Sequence, residues 1–221
     1  MENKIAVVLW GIEKEKNVNK IVNDVKWIEI RIDKFLKVFP EEKLIPYLKQ
    51  IRKKFKYNII GTIRCSREQD SDRIYIEETK RKYLYEKILP YIDYIDIEIK
   101  SKISSEIIKI SKDRNKKVIL SYHNFKKIPP LKNLKKIYQQ ANLLNPDIFK
   151  IALQINKKSE FLYLMNAFLK WKKTVLFVPM GLPGIFRLIP LYYGSPFTYV
   201  FCEKQSAPGQ FSYDDFKKFP I

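Results

Sequence analysis

Trp27-Ile28-Glu29-Ile30-Arg31-Ile32-Asp33 alternates isoleucine with charge at every second position. An extended strand sends such an alternation to two separate faces, because successive side chains point to opposite sides of the pleat. Glu29, Arg31 and Asp33 then share one face, and Ile28, Ile30 and Ile32 the other. If the isoleucines meet helices, the charges point into the lumen of a curled sheet. Charge buried there is costly without partners, which favours a functional pocket over a self-satisfied structural ion pair.

Working outward from WIEIRI (27–32), seven more short β-branched runs recur: KIAVVLW (4–10), NIIGTIR (58–64), YIDIEI (94–99), KVILSYH (117–123), DIFKIA (147–152), TVLFVP (174–179) and FTYVFC (197–202). Between them, apolar residues return at spacings of three and four, as in Leu44, Leu48 and Ile51, or Phe161, Leu164 and Phe168. That is helix periodicity. Eight strand–helix units in 221 residues predict an α/β fold, a single compact (β/α)8 TIM barrel over residues 1–221, with a doubly wound open sheet as the alternative. No linker, repeat or composition break argues for a second domain.

Composition narrows the partners. The net charge of +19 comes from 43 basic residues, only eight of them arginine, and the lysines are scattered rather than gathered on one stripe with aromatics. This reads as solvated helix faces, not a nucleic-acid surface, although a positive field attracts small anions. Two cysteines, Cys65 and Cys202, and one histidine make neither a disulfide framework nor a zinc site. No run is long and apolar enough for a membrane helix, and no leader pattern opens the chain, so a cytoplasmic, metal-free protein is expected.

Barrels carry their chemistry at the C-terminal ends of strands. There stand Arg64 with Glu68 after it, Ser121 and His123, and Lys150 inside an apolar strand. His123, the only histidine, suits proton transfer. Desolvation and nearby cations are expected to depress the Lys150 ammonium and free an amine to attack a carbonyl; a lysine that snorkels out or pairs with a carboxylate is the alternative. Met180-Gly181-Leu182-Pro183-Gly184 and Ser206-Ala207-Pro208-Gly209-Gln210 supply two loops with turn residues and hydrogen-bonding groups.

Taken in order, EIRID (29–33), TIRCSRE (62–68), SYHNF (121–125), IFKIA (148–152), MGLPG (180–184) and SAPGQ (206–210) resemble the type I 3-dehydroquinate dehydratases over nearly the whole chain. The resemblance implies a cofactor-independent step of the shikimate pathway, the syn dehydration of 3-dehydroquinate to 3-dehydroshikimate. It implies Lys150 as the imine-forming lysine, His123 as proton shuttle and Glu68 as the group that orients and tunes it. It also implies Glu29, Arg31 and Arg64 at the ring hydroxyls, Met180 beside the imine, and Arg187, Ser206 and Gln210 around the substrate carboxylate. A homodimer is the family habit.

Two departures bear on this. Gln69-Asp70 stand where the family commonly has two glycines, and Gly184-Ile185-Phe186-Arg187 is one residue shorter than the usual Gly-x-x-Ser-Arg. The alternatives are a Schiff-base aldolase on the same barrel and a basic nucleic-acid-binding protein.

Overall fold

The computed structural model describes residues 4–69, 73–207 and 209–218. Its strands are β1 (Ile5–Leu9), β2 (Trp27–Arg31), β3 (Asn58–Thr62), β4 (Tyr94–Glu98), β5 (Lys117–Asn124), β6 (Ile148–Gln154), β7 (Val175–Met180), β8 (Thr198–Phe201) and the short β9 (Phe211–Ser212). Every ladder is parallel, and the order is β7-β6-β5-β4-β3-β2-β1-β8-β9. This curled parallel sheet has the strand order of the expected barrel, not that of an open doubly wound sheet.

Between strands run α1 (Glu15–Asp24), α2 (Ile32–Val38), α3 (Leu44–Lys54), α4 (Glu78–Ile88), α5 (Ser104–Asp113), α6 (Leu131–Leu144) and α7 (Lys158–Phe168), then the four-residue helices α8 (Ile189–Tyr192) and α9 (Tyr213–Phe216). The period-2 strands and the helical stripes meet as the sequence predicts. Outward-facing Ile28, Ile30, Ile59, Ile95 and Ile97 join Leu44, Leu48 and Ile51 of α3, and Phe161 and Leu164 of α7, in one buried layer. Full burial of each such side chain is worth roughly 1.5–3 kcal/mol.

Inward-facing residues form a second, separate core: Ala6 and Val8 from β1, Ile60, Tyr94, Ile119, Ile148, Leu176 and Val178, Phe197 just before β8, and Tyr199 from β8. Its floor is aromatic, with Trp27 packed on both Tyr94 and Phe197 at ring centroids of 4.9 and 4.6 Å.

The eighth unit differs from the regular pattern. After β7 the connection holds only a 3-10 turn (Gly184–Arg187) and α8. No β7–β8 ladder is present among the described residues. Instead the Ser195 hydroxyl, just before β8, accepts the Phe177 amide and donates to the Val175 carbonyl, both at 3.1 Å. Pro179, which has no N–H to offer a neighbour, sits in the same edge strand, where proline is tolerated.

Strand two is shorter than its isoleucine pattern suggests. It ends at Arg31, and Asp33 lies in the first turn of α2 instead of on the strand face.

Candidate active site

At the C-terminal end of the strands lies a cavity of about 400 Å³, lined by Glu29, Arg31, Arg64, Glu68, His123, Lys150, Met180, Arg187, Ser206 and Gln210 among others. The nine residues singled out from the sequence for catalysis or substrate binding all line it, whereas Asp33 and Ser121 do not.

Lys150, on β6, is 5% exposed. Its Nζ lies 2.8 Å from Asp96 Oδ2 and 3.9 Å from Glu29 Oε1, and 4.1 Å from the centroid of the Tyr199 ring. Glu29, Asp96, Lys150 and Tyr199 come from β2, β4, β6 and β8, and four side chains from alternate strands form one interior layer of such a barrel. The groups in contact with the Lys150 nitrogen are therefore two carboxylates and a ring face, not the cations expected. The next cation is one contact away, because Asp96 also pairs with Arg64 Nη2 at 2.8 Å and accepts the Ser121 hydroxyl at 2.6 Å. Burial alone would raise the Asp96 carboxyl, but Arg64 and Lys150 outweigh it and hold the group far below the usual carboxylate range.

Arg64 is clamped. Its Nη1 donates to Glu98 at 3.1 Å and to the Ser121 hydroxyl at 2.7 Å, while Glu98 also pairs with the fully buried Arg81. Burial would lower the Arg64 guanidinium, yet Asp96, Glu98 and Glu29 keep it charged, well above its ordinary value. Asp96, Glu98 and Ser121 thus engage both Nη atoms of Arg64. Arg31 makes a two-pronged pair with Asp33, at 3.0 and 2.7 Å, and Glu29 accepts the Thr62 hydroxyl at 2.7 Å.

His123 lies at the end of β5, pairing in register with Ala152, while Ser121 pairs with Lys150. The imidazole thus stands one pleat nearer the mouth than the amine. Its Nδ1 is 2.8 Å from Glu68 Oε2, and its backbone N–H donates to the same oxygen at 2.9 Å. Burial, then Arg64 and Lys150, push the imidazole well below its usual value, so it is neutral. Burial and the nearby Glu98 push the Glu68 carboxyl up to about 8. Each group is driven toward its uncharged form, and the pair can hold or release one proton near working pH.

The far wall is built by the two glycine-bearing loops. Arg187 is 2% exposed, and burial lowers its guanidinium to about 10. Ser206 donates to Gln210 Oε1 from both its amide and its hydroxyl, at 3.0 and 2.9 Å. Gly209 has φ +71°, and a Cβ there would stand 2.7 Å from the Leu182 carbonyl, so only glycine lets loop eight lie on loop seven. The shortened loop-seven segment therefore still delivers its arginine to the cavity. Pro208, inside the loop-eight motif, lies outside the described residues.

Where the family commonly has glycines, Gln69 acts as a staple. Its side-chain amide donates to the Arg64 and Ile74 carbonyls at 2.7 and 3.1 Å, and its oxygen accepts the Ile74 amide at 2.9 Å. Asp70 lies outside the described residues.

Sequence reasoning missed Asp96, Glu98 and Tyr199. The signal for the first two was present, since YIDIEI alternates isoleucine with acid just as EIRID alternates it with charge. Trp10, at the end of β1, was missed as well; it lines the cavity with Lys34 and Lys204 over its ring, at 5.2 and 4.8 Å. Among the described residues no group of three or more His, Cys, Asp or Glu is arranged to hold a metal ion, and no helix is long and apolar enough to cross a membrane.

Known proteins resemble this chain along its length. The type I 3-dehydroquinase family profile matches residues 6–219. The 3-dehydroquinate dehydratase of Hydrogenobaculum sp. is 35% identical over 193 residues, covering 86% of this chain and 85% of that one. That of Methanosarcina mazei is 32% identical over 231 residues, covering 99% and 94%. The crystal structure of the 3-dehydroquinate dehydratase from Aquifex aeolicus superposes with a TM-score of 0.83 at 26% identity, covering 99% of this chain and all of that one (100%).

Proposed function

Because the chain belongs to the type I 3-dehydroquinase family, we propose that its barrel mouth dehydrates 3-dehydroquinate to 3-dehydroshikimate through an imine on Lys150, with His123 as proton shuttle. The enzyme is a hydro-lyase, and the imine itself is the electron sink, so no cofactor enters the reaction.

One observation carries the assignment of roles. A buried amine lies at the base of a cavity, and a neutral imidazole held by a carboxyl group stands one pleat above it on the adjacent strand. His123 takes one proton from the Lys150 ammonium, and the freed amine adds to the ketone carbon C3. A second nitrogen proton passes to the new alkoxide oxygen, and His123 returns the first to that hydroxyl, which leaves as water as the nitrogen lone pair forms the C=N bond. The iminium draws on the C2–H bond, His123 takes that proton, and the enamine electrons expel the C1 hydroxyl. His123 returns a proton to the leaving oxygen, and water then hydrolyses the iminium and restores the amine.

Glu68 fixes the imidazole through Nδ1 and leaves Nε2 for the substrate. Glu29, Arg31 and Arg64 face the ring hydroxyls, and Arg187, Ser206 and Gln210 take the carboxylate, for which a guanidinium offers paired donors. On this reading residues 1–221 form a single cytoplasmic barrel domain. Its ligand is a small molecule, it has no nucleic-acid partner, and it pairs with a second copy of itself, as light scattering would measure.

The test is chemical. Borohydride added with 3-dehydroquinate should inactivate the protein and leave a reduced adduct on Lys150, and without borohydride absorbance should rise at the enone band. An adduct on any other lysine would overturn the assignment.

A further inference from the structure

Three groups touch the Lys150 nitrogen, and the third has no part in the scheme above. The Tyr199 ring face lies under Nζ, its centroid 4.1 Å away. The ring is fixed from below by an edge-to-face contact with Phe197, centroids 5.4 Å apart at 86°, and Phe197 rests on Trp27. Tyr199 is 5% exposed. Its hydroxyl is buried and makes no hydrogen bond among the described residues. The ring, not the polar end, is the part of this side chain with a partner.

We propose that Tyr199 is a positioning residue for the Schiff-base lysine, its ring face holding the Lys150 nitrogen in place through the cationic stages of the reaction. The inference rests on the imine reading and follows from how the nitrogen's partners change. As an ammonium, Lys150 has three N–H donors, enough for both Asp96 and Glu29. As a protonated imine it has one. The nitrogen's donor capacity thus falls from three N–H to one as the iminium forms, while attraction between a cation and an aromatic face needs no hydrogen on the nitrogen. The ring contact does not depend on which N–H remains, and it keeps the C=N carbon aimed at the mouth, where His123 works.

The layer makes this specific. Glu29 and Asp96 approach the nitrogen from β2 and β4, and Tyr199 comes from β8, on another side of the lumen. An aliphatic residue at this position would fill space but supply no attractive face. Burial, opposed only in part by the nearby arginines, raises the phenol well above its ordinary value, so the ring remains the neutral phenol throughout.

The test is a ring series at one position. Tyr199→Phe keeps the face, phenylalanines carrying one, two and three fluorines weaken its negative potential stepwise at nearly constant shape, and Tyr199→Leu removes it. Each variant is mixed with 3-dehydroquinate and borohydride, and the fraction reduced at Lys150 is read by mass alongside kcat and KM. Trapping and kcat should fall with each fluorine, and the leucine variant should lie about 10-fold or more below the phenylalanine variant. KM should move less, since the carboxylate site is untouched. Tyr199→Phe should also unfold at an equal or higher denaturant concentration than wild type, because it deletes a buried hydroxyl without a partner. A merely structural ring would not track fluorination, so a flat series, or leucine equal to phenylalanine, overturns the proposal. Wild-type protein that gives no Lys150 adduct overturns the imine reading itself and this inference with it.

Discussion

Lys150 and Asp96 meet across the barrel interior, Nζ to Oδ2 at 2.8 Å, from strands β6 and β4, which are not neighbours in the sheet. The contact exists because alternate strands contribute to one interior layer, and it ties the Lys150 amine to the carboxylate that also holds Arg64. The acid does two jobs at once. It neutralises a lysine and an arginine that would otherwise repel each other in a buried space, and it sets where the amine points.

Asp96→Asn should therefore be costly. The amide keeps the shape but leaves two buried cations without their shared counter-charge. Removing one partner of a buried ion pair typically costs about 3–5 kcal/mol. Urea unfolding should read a loss of that order, with kcat falling as the amine loses its aim. A variant within about 1 kcal/mol of wild type would mean that the cluster is held by Glu98 and Ser121 without Asp96.

Much of this was legible in one dimension. Strands buried on both sides read as near-continuous apolar runs, so a lysine at 150 or an arginine at 31 stands out. The partner of Lys150 does not, because which acid shares its layer depends on the stagger of strands around the barrel. Asp96 and Glu98 carried the right alternation, but nothing in YIDIEI says which of them meets a lysine 54 residues away. The open seam was harder still. It rests on the Ser195 hydroxyl standing in for strand pairing, and one serine before a strand is invisible as a pattern.

The His123–Glu68 pair predicts a pH dependence of stability. Glu68 is raised to about 8, so its contribution is present below the unfolded value of 4.5 and is lost as pH rises to 8. His123 is depressed, so its contribution is present above 6.5 and is lost as pH falls below it. Below pH 6.5 the rising His123 slope opposes the falling Glu68 slope; from 6.5 to 8 only the Glu68 slope remains. Stability should decline across that upper window by on the order of 1 kcal/mol per pH unit. Glu68→Gln should abolish the decline, and a wild-type profile rising with pH across the window would contradict the assignment.

Gln69 gives a separable handle on loop three. With three hydrogen bonds from a buried amide, Gln69→Gly should lose roughly 1–3 kcal/mol of local stability and speed exchange of the Ile74 amide. kcat should fall only modestly, since Glu68 is fixed separately by the His123 amide. Unchanged exchange at Ile74 would show that the staple bears no load.

The last prediction concerns Arg187 and the substrate carboxylate proposed for it. Its guanidinium is 2% exposed on the cavity wall, between the short 3-10 turn that carries it and the glycine loop folded over it. Burial disfavours its charge enough to lower it to about 10, yet at neutral pH it remains a cation held at a desolvation cost. A carboxylate arriving in the cavity offsets that cost, and the planar fork matches it with two parallel hydrogen bonds. No other arginine follows Arg114 in the chain, so the last barrel units have no second fork. Arg187→Ala should weaken productive binding by about 2–5 kcal/mol, as for one partner of a buried charge pair. Most of the loss should appear in KM, because the substrate carboxylate stays charged from binding to product release. Arg187→Lys should recover only part of it, since an ammonium cannot present the paired donors. Near-normal KM in both variants would mean that the shortened loop leaves the carboxylate to Ser206, Gln210 and a lysine at the mouth.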